Sequence, residues 1–86
     1  MYRITNADEQ ILLTVTEYDA IEKLTPVLGE ATIKILRDGH VNIVKDMINL
    51  EPVAFLNMTG IDASMREKIL IVCRYLFRGA YDNLHG

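Results

Sequence analysis

The stretch "DASMREKILIVCRYLFR" (62–78) constrains this chain more than any other. At about 100° per residue, Met65, Ile69, Val72 and Leu76 point one way. Leu70, Cys73 and Phe77 flank them on one side, and Ile71 and Tyr75 on the other. Only a narrow stripe of Glu67, Arg74 and Arg78 stays polar. A helix so apolar around its circumference belongs at the centre of a fold. The whole chain has 86 residues, which makes one domain, 1–86, burying roughly 60–65 % of its unfolded surface. One copy has little material with which to surround such a rod. The sequence therefore predicts a homodimer with this helix at the interface.

The remaining pieces are cut at Thr25-Pro26, Asp38-Gly39, Glu51-Pro52 and Thr59-Gly60. The first opens with "NADE", where Asn6 and Glu9 have capping-box spacing. Ile11, Val15, Tyr18 and Ile21 then recur at helical spacing, which predicts a helix over 7–24 with 1–5 loose. The β-branched content of "LLTVTEY" leaves a strand open for 11–18. The second piece starts with Thr25 as cap and Pro26 at the first helical position. It runs to Asp38 and stops at Gly39, the usual left-handed terminator.

The third piece, capped by Asn42, runs to about Leu50. Ile43, Val44, Met47, Ile48 and Leu50 form one face of it, and Lys45, Asp46 and Asn49 the other. Pro52 ends or kinks it, and "VAFLNM" forms a short turn that brings Phe55 and Leu56 to the core. Asp62, or Ser64 with Glu67, caps the last helix. Gly79 ends it, with 80–86 as a frayed tail. The expected fold is all-α: a small four-helix domain forming an intertwined or face-packed homodimer.

Gly29 lies inside the apolar arc of the second helix. Glycine there costs up to about 1 kcal/mol relative to alanine. A flat spot that admits a second helix would offset that cost. Leu28, Gly29, Ile33 and Leu36, with Met65, Ile69, Val72 and Leu76, are therefore the expected dimer interface. The stripe of Glu67, Arg74 and Arg78 is the candidate partner surface, with the acidic first helix as the alternative.

The chemistry-bearing residues read as structural. His40 and His85 have no second ligand at metal spacing. Cys73 sits on the apolar side of its helix and packs as a small hydrophobe. Glu17, Asp19 and Glu22 form a solvated acidic face rather than an acid–base pair. No phosphate loop or nucleophile elbow occurs. The sequence predicts a non-enzyme with no catalytic residue, metal, cofactor or small-molecule substrate.

The net charge of −3 and nine scattered basic residues speak against a phosphate-binding face. "ATIKILRDGHVNIVKDMINL" has helix–turn–helix form, but its second helix offers only Asn42, Lys45 and Asn49 beside Asp46. Nucleic acid is not the favoured partner. A single cysteine, no secretion signal and no membrane-length apolar run predict a reduced, cytoplasmic protein.

"VLGEATIKILRDGHVN", the helix ending in "INLE", and "REKILIVCRY" together resemble the small biofilm-development and acid-resistance regulators of enteric bacteria (the AriR/YmgB-like family). The resemblance covers Pro26 to Tyr75; the N-terminal quarter and "EPVAFLNMTG" lie outside it. It implies an all-α bacterial homodimer without enzymatic activity, acting as a connector to a two-component phosphorelay. Leu28, Gly29, Leu36, Gly39, Leu50 and Tyr75 would carry over as structural positions. The expected function is therefore regulation by protein–protein contact with an unidentified partner, a phosphorelay component if the resemblance holds. The alternatives are a small DNA-binding repressor of plasmid or phage type, and an inhibitor or immunity-type protein that occludes a larger partner.

Overall fold

The computed structural model describes the backbone of residues 2–85 and the side chains of residues 2–51, 53–55 and 57–77. The chain is mostly helical, and no strand occurs among the described residues. The helices are α1 (Asn6–Leu12), α2 (Thr25–Leu28), α3 (Glu30–Asp38), α4 (Val44–Ile48), α5 (Pro52–Leu56) and α6 (Ala63–His85), with a 3-10 turn at Ile21–Leu24 before α2. The first two expected helices are divided, the third is shortened and the last is extended, for reasons that the surrounding chemistry supplies.

The first helix is seven residues long rather than eighteen, and it begins one residue earlier than its spacing suggests. Thr5 Oγ1 accepts the Asp8 backbone N–H at 3.1 Å, and the Asp8 carboxylate accepts the Thr5 N–H at 3.4 Å. The capping box is therefore Thr5 with Asp8, not Asn6 with Glu9. The residues expected to be loose are also engaged: the Tyr2 hydroxyl donates to Asp8 at 2.6 Å, and the Lys68 ammonium lies 4.8 Å from the Tyr2 ring centre. The helix stops where "TVT" begins. Thr14 Oγ1 donates to the Ile11 carbonyl at 2.8 Å, a local bond that competes with helix propagation.

Residues 13–20 are neither helix nor strand; they form turns and one isolated bridge, Ala20 to Ile43. This excursion serves α4. The carbonyls of Asp19 and Glu17 accept the N–H groups of Val44 and Lys45 at 2.9 and 2.8 Å. The Asp46 carboxylate takes those of Asn42 and Ile43. The orphan donors at the start of α4 are thereby met from elsewhere in the chain. Asn42 consequently does not cap with its side chain, and α4 is five residues long.

Gly29 divides the second expected helix in two. It adopts φ 89° and ψ 152°, a conformation nearly confined to glycine. The hydrogen bonding continues on both sides of it: Gly29 N–H reaches Thr25 O, and Ile33 N–H reaches Gly29 O. Chain direction changes while the backbone stays satisfied. A Cβ built at Gly29 would meet nothing within 4 Å. The glycine is required by its backbone angle, and the expected close approach of a second helix is not its cause within the chain. Thr25 does not cap either. The 3-10 turn leads straight into α2, and the Thr25 hydroxyl donates to the Glu22 carbonyl at 2.6 Å.

The left-handed residue after α3 is His40, at φ 69°, rather than Gly39. Val41 N–H bonds to Leu36 O and His40 N–H to Arg37 O. These are the two bonds of a Schellman motif, whose usual apolar contact is supplied by buried Leu36 and Val41. Gly39 answers a different demand, since a Cβ there would come within 2.9 Å of Met58 Cε.

Pro52 opens α5 and does not merely end α4; Phe55 enters the core as expected, while the Leu56 side chain lies outside the described residues. Asp62 caps α6, its Oδ1 accepting the Met65 N–H at 2.7 Å. Gly79 does not end that helix, which continues to His85. At 23 residues, α6 is about 34 Å long, nearly the 38 Å longest dimension of the molecule. The core gathers Leu12, Ile21, Leu24, Val27, Leu28, Ile33, Leu36, Val41, Val44, Met47 and Phe55 from the body, and Ile69 and Val72 from α6.

Candidate protein-contact surface

Helix α6 is one-sided. Ile69 and Val72 are fully buried against the body, where α6 meets α2 and α4. Met65, Ile71, Cys73, Tyr75 and Leu76 are half-buried along the flanks. On the far side Leu70 and Phe77 are 43 % and 60 % exposed. They stand seven residues apart, two turns along one face. Arg66 and Arg74 on this face are exposed, and Glu67 beside them is half-buried. Neither guanidinium makes a hydrogen bond or an ion pair among the described residues.

The body holds the inner side of α6 by three polar ties besides apolar packing. Lys68 covers the Tyr2 ring. The Tyr75 hydroxyl donates to Glu9 at 3.4 Å, and the Cys73 thiol donates weakly to the Met47 carbonyl at 3.7 Å. These ties fix the rotation of α6, and therefore which residues face outward.

The expected dimer-interface residues are divided by this geometry. Leu28, Ile33, Leu36, Ile69 and Val72 are buried inside one chain. They form its own core, so a second copy could reach them only by opening it. Met65 and Leu76 are half-buried, and Gly29 is exposed. Of the candidate partner stripe, Glu67 and Arg74 lie on the outer face, while the Arg78 side chain falls outside the described residues. One chain covers one side of α6 and leaves Leu70 and Phe77 uncovered, as expected of a helix that a single copy has too little material to surround.

The acidic trio does not converge. Asp19 accepts the Thr16 N–H at 2.7 Å and the Lys23 ammonium at 3.1 Å. Glu22 pairs with Arg37 through both guanidinium Nε and Nη2, and Glu17 is exposed. Each partner holds its carboxyl below the ordinary range: Asp19 chiefly through the Thr16 N–H, Glu22 chiefly through Arg37. These are structural ion pairs. Around Glu22 and Arg37, a shallow groove is lined by Thr25, Glu30, Ile33 and Lys34.

Burial pushes the Cys73 thiol up to about 12, which suppresses the thiolate that nucleophilic or ligand chemistry requires. No metal-holding cluster of His, Cys, Asp and Glu occurs among the described residues. His40 is exposed, and the His85 side chain lies outside them. The helix–turn–helix candidate becomes α3, the Schellman turn and α4. Its second helix buries Val44 and Met47, and Lys45 lies 5.7 Å from the Tyr18 ring centre. No helix among the described residues is long and apolar enough to cross a membrane.

By spacing alone, Leu70 and Phe77 are flanks of the apolar stripe of α6. The signal that separates them was present. On a helical wheel they lie roughly 110–130° from the mean direction of Met65, Ile69, Val72 and Leu76. Known proteins add nothing: no family model matches the chain, and no curated protein or solved structure is similar to it.

Proposed function

We propose that this chain is a small non-enzymatic regulatory protein that acts by protein–protein contact, through the outer face of α6. The observation that carries the reading is the pair Leu70 and Phe77, two large apolar side chains on one exposed helix face. Exposed apolar groups gathered on one face, framed by charge, are the usual material of a protein contact. Their helix is anchored by its opposite side, so a partner can bind without unfolding the body.

Within this class, the likeness of Pro26–Tyr75 to the AriR/YmgB-like regulators supports a connector to a two-component phosphorelay. A deletion strain with unchanged acid survival and biofilm formation would count against that narrower role.

The general reading is tested by affinity capture with three forms of the full chain: wild type, Leu70→Glu/Phe77→Glu, and Lys34→Glu as a control remote from α6. The expected result is a host protein retained by wild type and control and lost from the double variant. Retention by all three, or by none, contradicts the reading. A duplex DNA fragment bound at physiological salt, with affinity falling steeply as salt rises, would favour the DNA-binding alternative.

A further inference from the structure

The charges of this chain are segregated along it. Residues 1–62 carry ten of the twelve carboxylates and five of the nine lysines and arginines. Residues 63–85 carry the other two carboxylates and four cations. An acidic body therefore presents a basic last helix. Inside the body, three of the five cations are taken up locally: Lys23 by Asp19, Arg37 by Glu22, and Lys45 against Tyr18. Lys68, on the inner side of α6, lies over Tyr2. Arg66 and Arg74, beside the exposed Leu70 and Phe77, have no such partner among the described residues.

From this complementarity we infer that the outer face of α6 docks an acidic amphipathic helix of a partner protein. The inference rests on the reading of this face as a protein-contact surface and adds the chemistry of its partner. Apolar side chains of the incoming helix would cover Leu70 and Phe77, and its carboxylates would meet Arg66 and Arg74 in the manner of coiled-coil edge charges. Glu67, within the same cluster, calls for one basic residue among those carboxylates.

A second copy of this chain is the poorer occupant. An antiparallel pairing centred between Leu70 and Phe77 brings Arg74 against Arg74. A parallel pairing sets Arg66 against Arg66 and Arg74 against Arg74. Both juxtapose like charges, which works against an isologous contact. A uniformly anionic surface also fits less well, because Glu67 and the acidic body would be repelled by it, and Arg66 and Arg74 give few phosphate contacts.

The test uses the full chain and two labelled helical peptides. Both carry leucines at the same two-turn spacing; one has glutamates and the other lysines at the flanking positions. Binding is followed by fluorescence anisotropy, with folding of every variant checked by circular dichroism. The glutamate peptide should bind at least about tenfold more tightly than the lysine peptide. Arg66→Glu/Arg74→Glu should reverse that order, and Leu70→Ala/Phe77→Ala should abolish binding of both.

Equal binding of the two peptides overturns the acidic partner while leaving a contact through Leu70 and Phe77 standing. Binding of both that survives Leu70→Ala/Phe77→Ala overturns the contact face as well, and binding of neither overturns the inference. Preferential binding to phosphatidylserine vesicles or to duplex DNA also overturns it. So does a dimer in sedimentation that dissociates on Phe77→Ala, which would make a second copy the occupant.

Discussion

Ile69 and Leu70 are consecutive residues of one helix with opposite surroundings: Ile69 is 0 % exposed and Leu70 is 43 % exposed. A rotation of about 100° separates their directions, and the body covers only one of them. The ties from Tyr2 to Lys68 and from Glu9 to Tyr75 hold α6 at that rotation. The outward face is therefore a consequence of the fold, because turning it inward would break those ties and expose Ile69 and Val72.

The backbone at Gly29 gives the first prediction. Any Cβ at φ 89° and ψ 152° is strained, and the cost should be about 1–3 kcal/mol. Because the surrounding space is open, Gly29→Leu should cost about as much as Gly29→Ala in a urea denaturation. A much larger penalty for leucine would show that bulk, rather than backbone angle, decides this position. Gly39→Ala should be milder, since the φ there is ordinary and the Met58 methyl it meets ends a flexible side chain.

Acid should weaken the fold in a defined way. Asp8 is held low chiefly by the Tyr2 hydroxyl, Asp19 by the Thr16 N–H and Glu22 by Arg37. A carboxyl with a depressed folded pKa contributes stability above its ordinary value, 3.8 for aspartate and 4.5 for glutamate. That contribution disappears as pH falls through the lower folded value. The urea midpoint should therefore be level above about pH 5 and drop below about pH 4. Glu22→Gln should lower the plateau slightly and flatten the acid limb. An acid limb identical to wild type in Glu22→Gln and Asp8→Asn would refute the assignment.

Cys73 should be slow to react while the chain is folded. Its thiol is pushed up to about 12 from an ordinary 9.0, so the thiolate available at pH 8 falls on the order of a thousandfold. Iodoacetamide should label it at a rate that rises sharply in denaturant. Native labelling as fast as that of a free thiol would show that the flank of α6 at Cys73 is open.

Much of the helix content was legible, and its interruptions were not. Pro26, Asp62 and the 3.6-residue spacing from Met65 to Leu76 mark their helices directly. The failure at residues 13–24 has a tertiary cause. The stretch leaves the helix to lend the Asp19 and Glu17 carbonyls to Val44 and Lys45 of α4, and a demand from so far along the chain cannot be seen in local periodicity. At Gly29 the apolar arc suggested close packing, whereas backbone angle was the operative constraint. His40 takes the left-handed position because the Schellman bonds from His40 and Val41 to Arg37 and Leu36 place that residue, one past Gly39, at the turn. At the candidate surface, Glu67 and Arg74 were identifiable as the polar stripe of α6. Leu70 and Phe77 were not, because counting apolar residues around a helix does not reveal how much of it a small body covers.

The division of α6 into an inner and an outer face is tested most directly by paired alanine substitutions scored twice, for urea stability of the isolated chain and for affinity to its captured partner or the glutamate peptide. Ile69→Ala, which empties a core position, should cost about 2–5 kcal/mol of stability. Phe77→Ala should change stability by no more than about 0.5 kcal/mol and weaken binding at least about tenfold. If Phe77→Ala destabilises the chain as much as Ile69→Ala does, or leaves binding untouched, the outer face is not a contact surface.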